Sequence, residues 1–188
     1  MKPMSATCIG AWLRNFSFFL CCVGIISLAH AQESSPYGVS LGAVTRDPVL
    51  TPITIPLARN AGIAWLRITF GTGIINPSRG VLRFRETGYD ALVDSARAQG
   101  LTILGMILGS SWMTSAPPPD SIPPGIDAGD YPPRDLNAWV QYVDTLVKHY
   151  KNDIQYWEVW NEPDLPGFWF GTPAQYAELL ARTYNTIK

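Results

Sequence analysis

From Tyr37 onward, short apolar runs and amphipathic helical stretches follow one another in strict alternation. That order leaves little choice of architecture. Strands joined through helices run parallel, and the crossover helices cover the sheet. Tyr37 to Ala43 reads as a first strand, and Thr51-Pro52 then offers an N-cap and an N1 proline to a helix running to about Asn60, with Gly62 as its stop. Ala64 to Phe70 is the second strand. Its helix begins near Thr87, places Tyr89, Leu92, Val93 and Ala96 on one face and ends at Gly100.

Leu101 to Leu108 is a continuous apolar run, as expected of a strand covered on both faces. Asp135 caps the next helix, where Leu136, Trp139, Val140, Val143, Leu146, Val147 and Tyr150 make one apolar stripe. Ile154 to Trp160 is the fourth strand. Thr172-Pro173-Ala174-Gln175, a capping box with proline at N1, opens a last helix predicted to bury Tyr176, Leu179, Leu180 and Ile187.

Four βα units of this kind match the first half of a (β/α)8 TIM barrel, an α/β fold of roughly 250 residues for eight units. The unit spacing is stretched by one loop, 109–133, which carries Pro117, Pro118, Pro119, Pro123, Pro124, Pro132 and Pro133. It lies where a strand hands over to a helix, the side on which such barrels build active sites, so it reads as a stiff linker or as a wall of a cleft. Open strand edges after four units are costly. The expectation is therefore that residues 32–188 form the N-terminal half of a barrel whose C-terminal half is a missing partner; a small complete α/β sandwich is the other reading.

The first 31 residues read differently. Lys2 and Arg14 precede an uncharged apolar run from Phe16 to Leu28, and Ala29-His30-Ala31 supplies the small-x-small cleavage pattern of a signal peptide, residues 1–31. A run of that length falls short of the ~20 residues that span a bilayer. A secreted or periplasmic protein with no stable membrane anchor after cleavage is expected. Cys8, Cys21, Cys22 and His30 leave with this segment, so the remainder has no cysteine and one histidine, His149. Disulfides, cysteine zinc sites and multi-histidine metal centres are thereby excluded, and no metal or other cofactor is expected. Without Lys2 and Arg14, twelve basic groups face 15 acidic ones, a net charge of −3. Nothing there neutralises phosphates, which argues against nucleic acid. Gly71-Thr72-Gly73 begins like a dinucleotide loop, but Asn76 stands where the third glycine belongs and Pro77 denies the following helix.

The chemistry is concentrated in Trp157-Glu158-Val159-Trp160-Asn161-Glu162-Pro163-Asp164. Asn and Glu are poor strand residues and proline removes a ladder donor, so a strand that ends this way delivers an amide and a carboxylate into a loop for a reason other than sheet formation. The octet resembles the acid/base segment of clan A glycoside hydrolases, closest to family 39 and related family 5-like enzymes of β-xylosidase and cellulase type. The resemblance covers most of residues 37 to 188. It implies a retaining glycosidase in which Glu162 is the general acid/base, Asn161 contacts the sugar 2-hydroxyl, and the nucleophile is a glutamate at the end of strand seven, beyond this chain.

Read from the residues, Glu162 shares a strand face with Tyr156, Glu158 and Trp160 and points to the barrel axis, in a setting of aromatics that disfavours its charged form. Simple alternation turns Asn161 to the opposite face with Trp157 and Val159, so the role implied by the resemblance requires a twist or bulge at the strand end. Glu158 lies deeper, at ~3.3 Å per residue, and reads as a buried hydrogen-bonding group rather than a nucleophile. Arg67, inside the second strand, needs a carboxylate partner. Trp65-Leu66-Arg67-Ile68 resembles the segment whose arginine holds the nucleophile in this clan; an ion pair with Glu158 alone is the structural alternative. The histidine that the family often carries after strand three is replaced by Leu108-Gly109-Ser110.

Of the loop aromatics Trp112, Phe168, Trp169 and Phe170, Trp112 and Trp169 are the candidates for stacking on a sugar. The predicted function is hydrolysis of O-glycosidic bonds in poly- or oligosaccharides. A catalytically incomplete carbohydrate-binding or interaction protein is the alternative.

Overall fold

The computed structural model describes residues 35–40, 47–72, 82–110 and 128–188. The leader segment 1–31, Trp112 and most of the proline-rich loop lie outside the described residues. Four strands, β1 (Gly38–Ser40), β2 (Trp65–Gly71), β3 (Thr102–Leu108) and β4 (Tyr156–Val159), form one sheet in the order β1-β2-β3-β4, with all three pairings parallel. The helices α1 (Thr51–Asn60), α2 (Tyr89–Ala98), α3 (Leu136–His149) and α4 (Pro173–Ile187) alternate with them.

Local chemistry accounts for most boundaries. Asp135 accepts from the backbone N–H groups of Asn137 and Ala138 and caps α3. Thr172 and Gln175 form the reciprocal capping box of α4. At α1 the helix starts one residue earlier than predicted: Leu50 is the N-cap, and Asp47 supports the turn with its carbonyl, bonded to the amides of Leu50 and Thr51, and its carboxylate, bonded to that of Val49. Leu180, predicted to be buried, is exposed; Thr183 takes the place beneath α4 and accepts the Trp139 indole N–H at 2.8 Å.

One face of the sheet meets the helices. Leu66, Ile68 and Phe70 of β2 and Ile103 and Ile107 of β3 pack with Ile55, the α2 stripe, Trp139, Val143, Leu146 and Leu179. Each such side chain contributes about 1.5–3 kcal/mol through burial. Phe70 stacks on Tyr89 at 4.8 Å and approaches Tyr150 and Trp157.

The opposite face is lined by Trp65 and Arg67 of β2, Leu104 and Met106 of β3, and Tyr156 and Glu158 of β4. Strands β2 and β4 are separated by β3, about 9.5 Å apart at ordinary strand spacing. Their side chains nevertheless meet: the Trp65 and Tyr156 rings lie 5.0 Å apart, and one level up Arg67 meets Glu158. Layers built from alternate strands across an intervening one are how a closed parallel barrel fills its interior.

Candidate active site

Three features of the β4 terminus build the site. Trp160 donates its backbone N–H to the Ile107 carbonyl at 2.8 Å, continuing the pairing with β3 one residue past the strand. Its backbone then turns left-handed, with φ of 70°. The turn sends the indole to the helix side, where it is 1% exposed, lies against Trp139 and Trp169, and donates to the Phe168 carbonyl at 2.6 Å. Tyr176 of α4 donates its hydroxyl to the Val159 carbonyl at 3.0 Å and fixes the strand end from behind. Burial, with a smaller push from the Glu158 charge, raises the pKa of that phenol.

Because Trp160 occupies the helix side, alternation is broken and Asn161 comes to the Arg67 side. The strand-end twist that the resemblance required is present, and simple alternation fails for Trp160 and Asn161 alike. Arg67 grips Glu158 with two bonds, Nε to Oε2 at 2.8 Å and Nη2 to Oε1 at 2.6 Å, and the same Nη2 donates to Asn161 Oδ1 at 3.0 Å. Asn161 Nδ2 donates in turn to Glu162 Oε2 at 3.0 Å. Arg67, Glu158, Asn161 and Glu162 are thus one connected cluster that runs from within β2 and β4 to the loop just past the C-terminal end of β4. The pairing of Arg67 is with Glu158 and with the site amide, not with Glu158 alone. Its pKa is raised, chiefly by the hydrogen bond to Glu158, against a desolvation that lowers it, with the Glu158 and Glu162 charges adding to the rise.

Two expectations about the surroundings change. Glu162 is exposed rather than enclosed by Trp157 and Trp160, because Trp160 has turned away and Trp157 packs under the helices against Gly105. Trp169 is 7% exposed, with its ring edge-on to Trp160 at 4.8 Å and its indole N–H on the Thr172 carbonyl at 3.3 Å. As placed, it supports the site from behind and is not brought to the Arg67 cluster. Phe168 and Phe170 are the open aromatics of that loop; Phe170 stacks on Tyr131 at 5.0 Å, and its amide donates to the Asp130 carbonyl at 2.9 Å. Tyr176 was not among the predicted site residues, although the capping box at 172–175 was the signal that could have placed it beside the strand end.

Chemically, the cluster offers an exposed carboxylate with one oxygen held by an amide, beside a guanidinium already neutralised by a second carboxylate. It suits proton delivery to, and orientation of, a polar substrate at the strand ends.

No family model matches the chain. A β-xylosidase from Caldicellulosiruptor saccharolyticus is 39% identical over 65 residues, covering 30% of this chain and 13% of that protein. Among solved structures, a family 39 glycoside hydrolase from the gut symbiont Bacteroides cellulosilyticus WH2 superposes with a TM-score of 0.60 at 21% identity, covering 80% of this chain and 28% of the other. An endoglucanase from Pseudomonas stutzeri gives 0.57 at 12% identity, with coverage of 80% and 47%, and an exo-β-1,4-mannosidase from Opitutaceae bacterium strain TAV5 gives 0.56 at 16%, with coverage of 80% and 29%. The chain thus spans less than half the length of each of these proteins. Its structural neighbours are glycoside hydrolases of families 39 and 5, and its four parallel βα units have the fold of one part of their TIM barrel.

Proposed function

We propose that this chain supplies the acid/base half of a retaining glycosidase that hydrolyses O-glycosidic bonds of poly- or oligosaccharides. The observation that carries the reading is the Arg67–Asn161–Glu162 arrangement, in which an arginine from within β2 reaches Asn161 and Asn161 holds Glu162 just past the C-terminal end of β4, the end on which barrels of this fold place their chemistry. The local identity to a β-xylosidase and the fold shared with other glycosidases support it.

In this reading Glu162 protonates the leaving oxygen and later takes a proton from water. Asn161 spends one amide hydrogen on Glu162 and keeps the second for the sugar 2-hydroxyl. Glu158 is not the attacking group, since Arg67 engages both of its oxygens. The nucleophilic carboxylate therefore comes from outside the described residues, and so does any sugar-stacking role of Trp112. Export through the leader 1–31 belongs to the same proposal.

A panel of aryl and natural glycosides tests it. Glu162→Gln should abolish turnover of natural substrates while sparing those with activated leaving groups, which need no acid. Equal loss on both classes removes Glu162 from the acid/base role. Sugar binding without turnover when the remaining half of the barrel is present would favour the carbohydrate-binding alternative.

A further inference from the structure

Glu158 lies below the reacting groups, and the proposed reaction does not use it directly. Yet both of its oxygens are committed to Arg67, at 2.8 and 2.6 Å. A guanidinium has five donors and no acceptor, so any group it touches must accept. Its Nη2 also reaches the Asn161 side chain at 3.0 Å, and this fixes the amide: oxygen towards Arg67, nitrogen away. The nitrogen then meets Glu162 Oε2 at 3.0 Å. In a protonated carboxyl the carbonyl oxygen is the stronger acceptor, so an amide held on Oε2 favours the tautomer with the proton on Oε1.

We propose that Glu158 is a positioning residue for the acid/base: by gripping Arg67 it sets the orientation of Asn161, which reserves Oε2 of Glu162 and places the transferable proton on Oε1. The proposal rests on the reading of Glu162 given above. In the step itself, the Oε1 proton passes to the glycosidic oxygen as the C1–O bond breaks towards that oxygen; the Glu158–Arg67–Asn161 chain transfers no proton. Without Glu158, the unpaired guanidinium is drawn to the neighbouring carboxylate, Glu162, and the amide is free to flip. The other ionisable groups at hand are Tyr176 of α4, its hydroxyl spent on the Val159 carbonyl, and Asp164 in the loop after Glu162.

Glu158→Gln keeps the size of the side chain and removes its charge. In the full chain, the Asn161 side-chain amide resonances, identified by their loss in Asn161→Asp, should move towards those of a free amide in Glu158→Gln; resonances that stay put would overturn the proposal whether or not the protein turns over substrate. Where turnover is measured, kcat/KM for substrates with poor leaving groups should fall about tenfold or more further than for activated aryl glycosides, a share of the roughly 10²–10⁴-fold that acid assistance supplies; a loss common to both classes reads the contact of Asn161 to the 2-hydroxyl. Equal losses on both classes would overturn it too. Glu158→Asp, which keeps the charge, should recover most of the leaving-group discrimination. If Glu158→Gln does not fold, Arg67→Lys serves, because an ammonium lacks the fork that holds both partners and should reproduce the same pattern. Absence of leaving-group dependence in Glu162→Gln would sink the acid/base reading. Its presence there but not in Glu158→Gln would sink only the positioning role.

Discussion

Among the described residues two non-glycine positions have positive φ, Trp160 at 70° and Glu162 at 47°, and they flank Asn161. A left-handed backbone at such residues costs of order 1–3 kcal/mol each and persists only where the surroundings over-determine it. Here the surroundings are the buried Trp160 indole, its bond to Phe168, and Tyr176 on the Val159 carbonyl. The strain is what brings Asn161 to the face of Arg67. Asn161→Ala should lower kcat and kcat/KM together by about 2–4 kcal/mol, in the range of a lost oxyanion-hole donor. Substrates lacking the 2-hydroxyl should lose less, and the loss they retain would measure the bond from Asn161 to Glu162. A variant that melts earlier but turns over normally per folded molecule would take Asn161 out of the site.

Packing between neighbouring elements imposes its own requirements. On β3, a Cβ added to Gly105 would meet the Trp157 ring of β4 at 2.6 Å, so glycine is what lets that indole lie flat beneath the helices. Gly105→Ala should destabilise by about 1–3 kcal/mol through overpacking, readable as a lower denaturant midpoint with unchanged slope. An unchanged midpoint would show that Trp157 has room to yield. Between α2 and α3, Tyr150 donates to Asp90 at 2.8 Å, and burial, followed by that bond, raises its pKa far above the ordinary tyrosine value; burial does the same to Tyr142. For a group whose folded pKa is raised, the stabilisation is complete below the unfolded value, about 10 for tyrosine, and is lost as pH climbs above it. Alkaline titration should therefore unfold the protein cooperatively above about pH 10, and Tyr150→Phe should flatten that slope. A slope indifferent to the substitution would assign the alkaline transition to other groups.

Seen whole, the described residues bury one face of the sheet thoroughly and leave apolar side chains on other surfaces. Ile53 and Leu57 on α1, Leu180 and Tyr184 on α4, and Tyr156 on the helix-free face are exposed, each helix pair four residues apart. Such strips favour association in water. A polypeptide of residues 32–188 on its own should self-associate, and replacing Leu57 and Tyr184 by lysine should reduce the association in sedimentation. A monomer with a sharp melt would mean that these strips are tolerated.

The sequence by itself determined what depends on near neighbours. Strand and helix order, the Asp135 cap, the Thr172–Gln175 box and the Tyr89–Ala96 stripe follow from periodicity and local hydrogen bonding, and they appear where the residues predict them. The composition of the site was also legible, because Asn-Glu-Pro at a strand end is chemically conspicuous. Only the tertiary structure decided where those groups point. Period-two alternation cannot register a left-handed turn at Trp160, which depends on Trp139, Trp169 and Phe168, from another helix and from the loop beyond. It likewise could not tell that Trp169 would be packed behind the site, that Glu162 would be exposed, or that Arg67 would join Glu158 to Asn161 across 91 and 94 residues of chain. Direction at a strand end is set by what fills the space beside it, and that space is enclosed by residues distant in the chain.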